Sequence, residues 1–265
     1  MSSALASKAG GALARWLTRS RPLHSPSPPT AAPALLAALR PADVLLVEGN
    51  SRISVAIRYL TQSTWSHAAL FVGFEAGLAN PDHCFVEADL VEGVRSVGLD
   101  EFAGLHTRIC RPLGLSDDDA RAVIHHVVAR LGHRYDLKNI VDLVRYLLPT
   151  PPVPTSWRRR MIGLGSGDPT RAICSTLIAG AFQSIRYPIL PEIEATVADS
   201  PACRDCVAEL WRIRHQSLFT PRDFDASPYF QIVKPGLAGG FDFHRFKWAD
   251  GGVPGLGQRQ ERQAT

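Results

Sequence analysis

The sequence predicts an α+β domain in which a small antiparallel sheet packs on one apolar helix, with further helices at its flanks. Three observations carry this. Short strand-like runs crowd residues 43–111, at 43–48, 67–72, 84–88, 93–97 and 107–111. Leu177, Ile178, Ala181 and Phe182 then repeat at helical spacing within 174–185. The chain of 265 residues is 45% apolar, enough for a real core.

Taken in order, residues 1–34 form a basic leader and linker. Lys8, Arg15, Arg19 and Arg21 meet no acid there, and they account for the whole net charge of +4. The remaining chain is neutral overall, which argues against a general nucleic-acid-binding surface. Residues 22–33 are rich in Ser and Pro and are read as a linker. The folded domain is expected over 35–238, followed by an irregular tail over 239–265. Val44, Leu45, Leu46 and Val47 read as a buried strand. Ser51 is placed to cap a helix whose stripe is Ile53, Ile57 and Leu60.

A short helix is expected at 99–103. Ser116 opens a stronger one, because Asp117, Asp118 and Asp119 fill the first turn, where the dipole favours acids, and Val123, Val127, Val128 and Leu131 supply its apolar face. A helix is expected at 137–148, ending at Pro149, Pro151, Pro152 and Pro154. Residues 150–170 read as a loop rich in Pro, Gly and Arg, and 229–233 as a last strand.

Chemistry concentrates on three residues. Cys174 opens its helix, where unpaired N–H groups and the positive end of the dipole lower a thiol pKa and suit an oxyanion. His67 begins an apolar strand and is followed by small Ala68 and Ala69. Glu87 lies among Phe85, Val86 and Ala88, where burying a carboxylate demands a partner. An imidazole on the neighbouring antiparallel strand supplies one. Thiol, imidazole and carboxylate together suit acyl transfer: the thiol attacks, the ring takes its proton, and the acid orients the ring.

Other clusters carry less. Cys203 and Cys206 form a lone CxxC without a second pair at zinc spacing, so a structural zinc protein would need metal in the purified chain. A thioredoxin-like role lacks the preceding strand. His125 and His126 sit side by side on a helix and read as surface and core edge. Gly163, Gly165 and Gly167 lack the ending of a phosphate loop. Arg158, Arg159 and Arg160, with Arg171, read either as a solvated run or as a site for an anionic substrate group or lipid phosphate.

In order and context these residues resemble the circularly permuted papain-fold cysteine hydrolases of the NlpC superfamily, the YiiX/YaeF-like group. The matching pieces are Ser66-His67, Glu87-Ala88, Gly132 with Tyr135-Asp136, Cys174-Ser175, and Thr220-Pro221-Arg222-Asp223-Phe224 with Ser227-Pro228. They span roughly residues 40–233. The resemblance implies a permuted papain-like fold, with Cys174 as nucleophile, His67 as general base and Glu87 as the orienting acid. Thr176 departs from it, since family members often carry an acid after Cys-Ser.

The expected activity is hydrolysis or acyl transfer on an amide or ester, with a peptide-like or acyl-lipid substrate. Ser66, Tyr135, Ser175, Arg158, Arg159 and Arg160 are the expected substrate contacts. No metal or organic cofactor is implied, and no nucleic acid. A non-catalytic papain-fold binding module is the competing class. Five cysteines at uneven spacing suggest a reducing, cytoplasmic compartment. Leu5, Ala9, Ala12, Leu13, Trp16 and Leu17 at helical spacing among basic residues fit an interfacial helix touching anionic lipid, and equally a processed leader.

Overall fold

Val44–Glu48 forms β1, and all five of its residues are buried. A strand covered on both faces belongs inside a sheet. In the computed structural model, which describes Arg19 and residues 29–133, 173–197 and 207–235, β1 lies between two neighbours. On one side it pairs with β2 (His67–Phe71) and on the other with β5 (His106–Pro112), both antiparallel. Adding β3 (His83–Asp89), β4 (Gly93–Gly98) and β8 (Phe230–Val233) gives one antiparallel sheet of order β4-β3-β2-β1-β5-β8. The architecture is α+β.

Strand alternation sorts the apolar side chains into two cores. Val44, Leu46, Ala68, Leu70, Val86 and Ala88 face one way. Against them pack Leu177, Ile178, Ala181 and Phe182 of α4 (Ile173–Ser184) and Val123 and Val127 of α3 (Asp117–Val128). Leu45, Val47, Ala69, Phe71, Phe85 and Ile109 face the other way. They are covered by Leu35 of α1 (Ala32–Ala38) and by Phe102 of a 3-10 turn (Leu99–Phe102).

Local chemistry sets the element ends. Ser51 Oγ accepts from Ser54 N at 3.2 Å and caps α2 (Arg52–Thr61). Ser116 and Asp119 close a reciprocal capping box on α3. Between β3 and β4, Asp89 Oδ1 accepts from Val91 N at 2.7 Å and Glu92 N at 2.8 Å, and Gly93 takes the positive φ of 83° that the turn needs.

Several elements among the described residues were not foreseen. α1 begins at Ala32, inside the stretch read as linker, with Pro33 in its first turn where a missing N–H costs nothing. A separate hairpin joins β6 (Glu192–Val197) and β7 (Val207–Arg212). The Thr220-Pro221 motif opens α5 (Pro221–Ala226), capped by Thr220 and Asp223. The expected helix at 137–148 and the loop at 150–170 lie outside the described residues. Among the described residues no helix is long and apolar enough to cross a membrane.

Candidate active site

The site forms where the start of β2 meets the N-terminus of α4. Glu87 is 3% exposed. Its Oε2 accepts from His67 Nε2 at 2.6 Å. A carboxylate only accepts, so Nε2 carries the hydrogen and Nδ1 is the ring atom left for another partner. That partner is Cys174, which hydrogen-bonds the imidazole. The thiol is 5% exposed. The ring keeps 26% of its surface open, so the site is accessible from the imidazole side.

Small residues allow this approach. Ala68 is fully buried on the face that meets α4, and its amide N–H donates to Cys174 Sγ. Ser175 Oγ lies 3.9 Å from the same sulfur. Cys174 is the second residue of α4, so its own amide is one of the first four that find no acceptor within the helix.

The three described cysteines are all buried, yet they respond in opposite directions. Burial pushes the Cys84 thiol up to about 11, and it raises that of Cys110 further. Burial acts on Cys174 in the same sense. There the charge of His67, its hydrogen bond and the Ala68 amide outweigh it, and the thiol is held below its ordinary range. His67 is the counterpart: burial disfavours the imidazolium, but the charges of Glu87 and Cys174 raise its pKa well above the usual value. For Glu87, burial is outweighed first by His67 and then by Arg95, and its pKa falls.

Arg95 was not singled out in the sequence. It sits on β4 directly opposite Glu87 in the β3–β4 ladder. Its Nε donates to Glu87 Oε1 at 2.9 Å, and its Nη2 reaches the same oxygen at 2.7 Å. Glu101 at 2.7 Å and Glu92 at 3.2 Å hold the guanidinium from outside.

Two expected substrate contacts are turned inward. Ser66 is 2% exposed, and its Oγ accepts from Gly49 N at 2.9 Å. Ser175 is fully buried. Tyr135, Arg158, Arg159 and Arg160 lie outside the described residues, as do Asp136, Arg171, Cys203 and Cys206. Gly132 adopts φ 81°, and its N–H bonds Val94 O at 2.8 Å. Among the described residues no group of three or more His, Cys, Asp or Glu side chains is placed to hold a metal ion.

No family model matches the chain, and no curated protein matches it in sequence. Among solved structures, the metalloprotein yiiX of Escherichia coli O157:H7 is weakly similar. It matches at 15% identity and a TM-score of 0.42, over 74% of this chain and 96% of that one.

Proposed function

We propose that the protein is a cysteine-dependent hydrolase or acyltransferase with a circularly permuted papain-like fold, acting on an amide or ester. The observation that carries this reading is the joining of His67 to Glu87 through one ring nitrogen and to Cys174 beyond it, with Cys174 alone among the described cysteines held below its ordinary pKa.

In the mechanism, the Cys174 thiolate attacks the substrate carbonyl carbon. The carbonyl π-bond opens onto oxygen, and the first amides of α4 receive the oxyanion. The His67 imidazolium gives its proton to the leaving amine or alcohol as the tetrahedral species collapses to a thioester. Neutral His67 then takes a proton from water, or from a second acceptor, which attacks the thioester and restores the thiolate. Glu87 keeps the ring in one tautomer throughout, and Arg95 keeps Glu87 ionised. Peptide-like and acyl-lipid substrates both suit this chemistry. A cytoplasmic setting accords with the cysteine usage, and residues 1–20 would serve either as a peripheral membrane contact or as a processed leader.

Iodoacetamide labelling followed over pH tests the reading. Cys174 is expected to alkylate faster at neutral pH than an ordinary thiol and to depend less steeply on pH, because its thiolate is favoured. In His67→Ala the rate at neutral pH should fall at least roughly tenfold and climb with pH like an ordinary thiol. Amide and lipid-ester probes should modify Cys174 and no other cysteine. Equal, slow labelling of both proteins would sink the catalytic reading and favour a binding module.

A further inference from the structure

A serine hydroxyl lies against the reactive sulfur where no substrate reaches it. Ser175 is the third residue of α4 and is fully buried. Its Oγ stands 3.9 Å from Cys174 Sγ, within hydrogen-bond reach of an atom as large as sulfur. A buried hydroxyl without a partner forfeits the hydrogen bonds it made to water. Among the described residues, Cys174 Sγ is the one hydrogen-bond partner of this hydroxyl. Other buried serines spend theirs on backbone: Ser66 Oγ accepts from Gly49 N, and Ser227 Oγ donates to the Ile189 carbonyl.

The direction of the Ser175 bond follows the state of the thiol. A thiolate has no proton to give, so against it the hydroxyl must donate. A donor is worth more to an anion than to a neutral acceptor, and burial widens the difference. The Ser175 O–H therefore favours the ionised sulfur. It comes from the helix side, whereas the His67 ring and the Ala68 N–H come from β2.

Among the described residues, the charged neighbours of α4 leave this role to Ser175. His67 is the charged group that reaches the sulfur, with Glu87 and Arg95 behind the ring. Asp89, at the end of β3, accepts from the amides of its own turn. His126 of α3 lies against Gly180, almost two turns further along α4. His215 bonds Ser217, beside that same distant end.

We propose that Ser175 is a positioning residue for the nucleophile, its hydroxyl donating to the Cys174 thiolate to hold the sulfur at the helix end and favour its ionised form. This role rests on the thiol chemistry proposed above.

The pH dependence of Cys174 alkylation by iodoacetamide in the full chain, mapped by mass spectrometry, tests it. Removing a donor from an anion raises the pKa of the acid. Ser175→Ala should therefore move the midpoint upward by about half to one pH unit. At a pH below both midpoints the rate then falls roughly three- to tenfold. The same upward shift is expected when Ser175→Ala is added to His67→Ala, because the hydroxyl reaches the sulfur without the ring. Thiolate absorbance in the ultraviolet, taken as the difference from each protein's Cys174→Ala counterpart, should give the same midpoints.

Ser227→Ala is the control. It removes a buried hydroxyl bonded to a carbonyl, and should lower stability in urea while leaving the Cys174 midpoint in place. An unchanged midpoint in Ser175→Ala, in either background, overturns the proposal. So does an equal shift in Ser227→Ala, or a change in alkylation without one in absorbance. Should the parent and His67→Ala titrate alike, the catalytic reading falls, and the Ser175→Ala shift still decides this one.

Discussion

Arg95 does for Glu87 what Glu87 does for His67, supplying the charge that makes an otherwise costly burial favourable and a direction that fixes the side chain. The sign of its contribution follows from linkage. Glu87 has a depressed pKa, so its ionised form persists well into acid and is lost as the pH falls through that pKa. Removing Arg95 takes away one of the charges that depress it, so Glu87 should then protonate at a higher pH. Arg95→Met is therefore expected to move the acid limb of the Cys174 alkylation profile upward by about one pH unit, while Arg95→Lys restores most of it. An unshifted limb would mean that Arg95 plays no part in the site. The pairing of His67 with Glu87 was legible because a carboxylate among apolar neighbours has few ways to be satisfied. Arg95 was harder to find, since strand alternation alone leaves register open. The Asp89–Gly93 pairing was the missing signal: counting two residues away from the turn along each strand puts Glu87 opposite Arg95.

Helix α4 has to present Cys174 to a strand, and its other end is fixed by aromatic contacts. The Phe182 ring lies 5.3 Å from both Tyr187 and Phe230, and the Tyr187 hydroxyl reaches the Tyr229 carbonyl at 2.6 Å. Phe182→Ala leaves a cavity in this cluster and is expected to destabilise the fold by about 3–5 kcal/mol, read from urea unfolding. A loss below about 1 kcal/mol would show that this cluster does not hold the helix. The helix itself was legible from its apolar spacing, and so were α2 and α3 from their caps. α1 was hidden by its setting, because Pro33 within a Pro-rich stretch looks like a linker until Leu35 is seen in the core. The β6–β7 hairpin pairs segments separated by residues 198–206, and only the alternation of Ile193, Ala195 and Val197 signalled it. α5 carried a readable cap in Thr220 and Asp223, but its short length left little periodicity to detect.

Among the described residues, the strands of the first half build most of the sheet, and elements of the second half return to it. α4 covers β2 and β3, and β8 pairs with β5 at the opposite edge, with Ile109 facing Val233. The α+β class was legible because strand-like runs and helical stripes occupy separate stretches of sequence. The order of strands was not, since β8 joins the sheet across more than a hundred intervening residues and no local pattern encodes that partner. His67 and Glu87 thus lie on β2 and β3, and Cys174 on α4, about ninety residues further along the chain. The imidazole and the thiol meet as two partners in a complex would, through the apolar face of α4 and the β5–β8 ladder. Two polypeptides, residues 1–150 and 151–265, should accordingly find each other when co-expressed and together recover the fast alkylation of Cys174, whereas the second alone should react as an ordinary thiol. Identical rates for the pair and the lone fragment would argue that the two halves need covalent continuity to associate. What looks like one compact site is a contact between segments that lie far apart in the same chain.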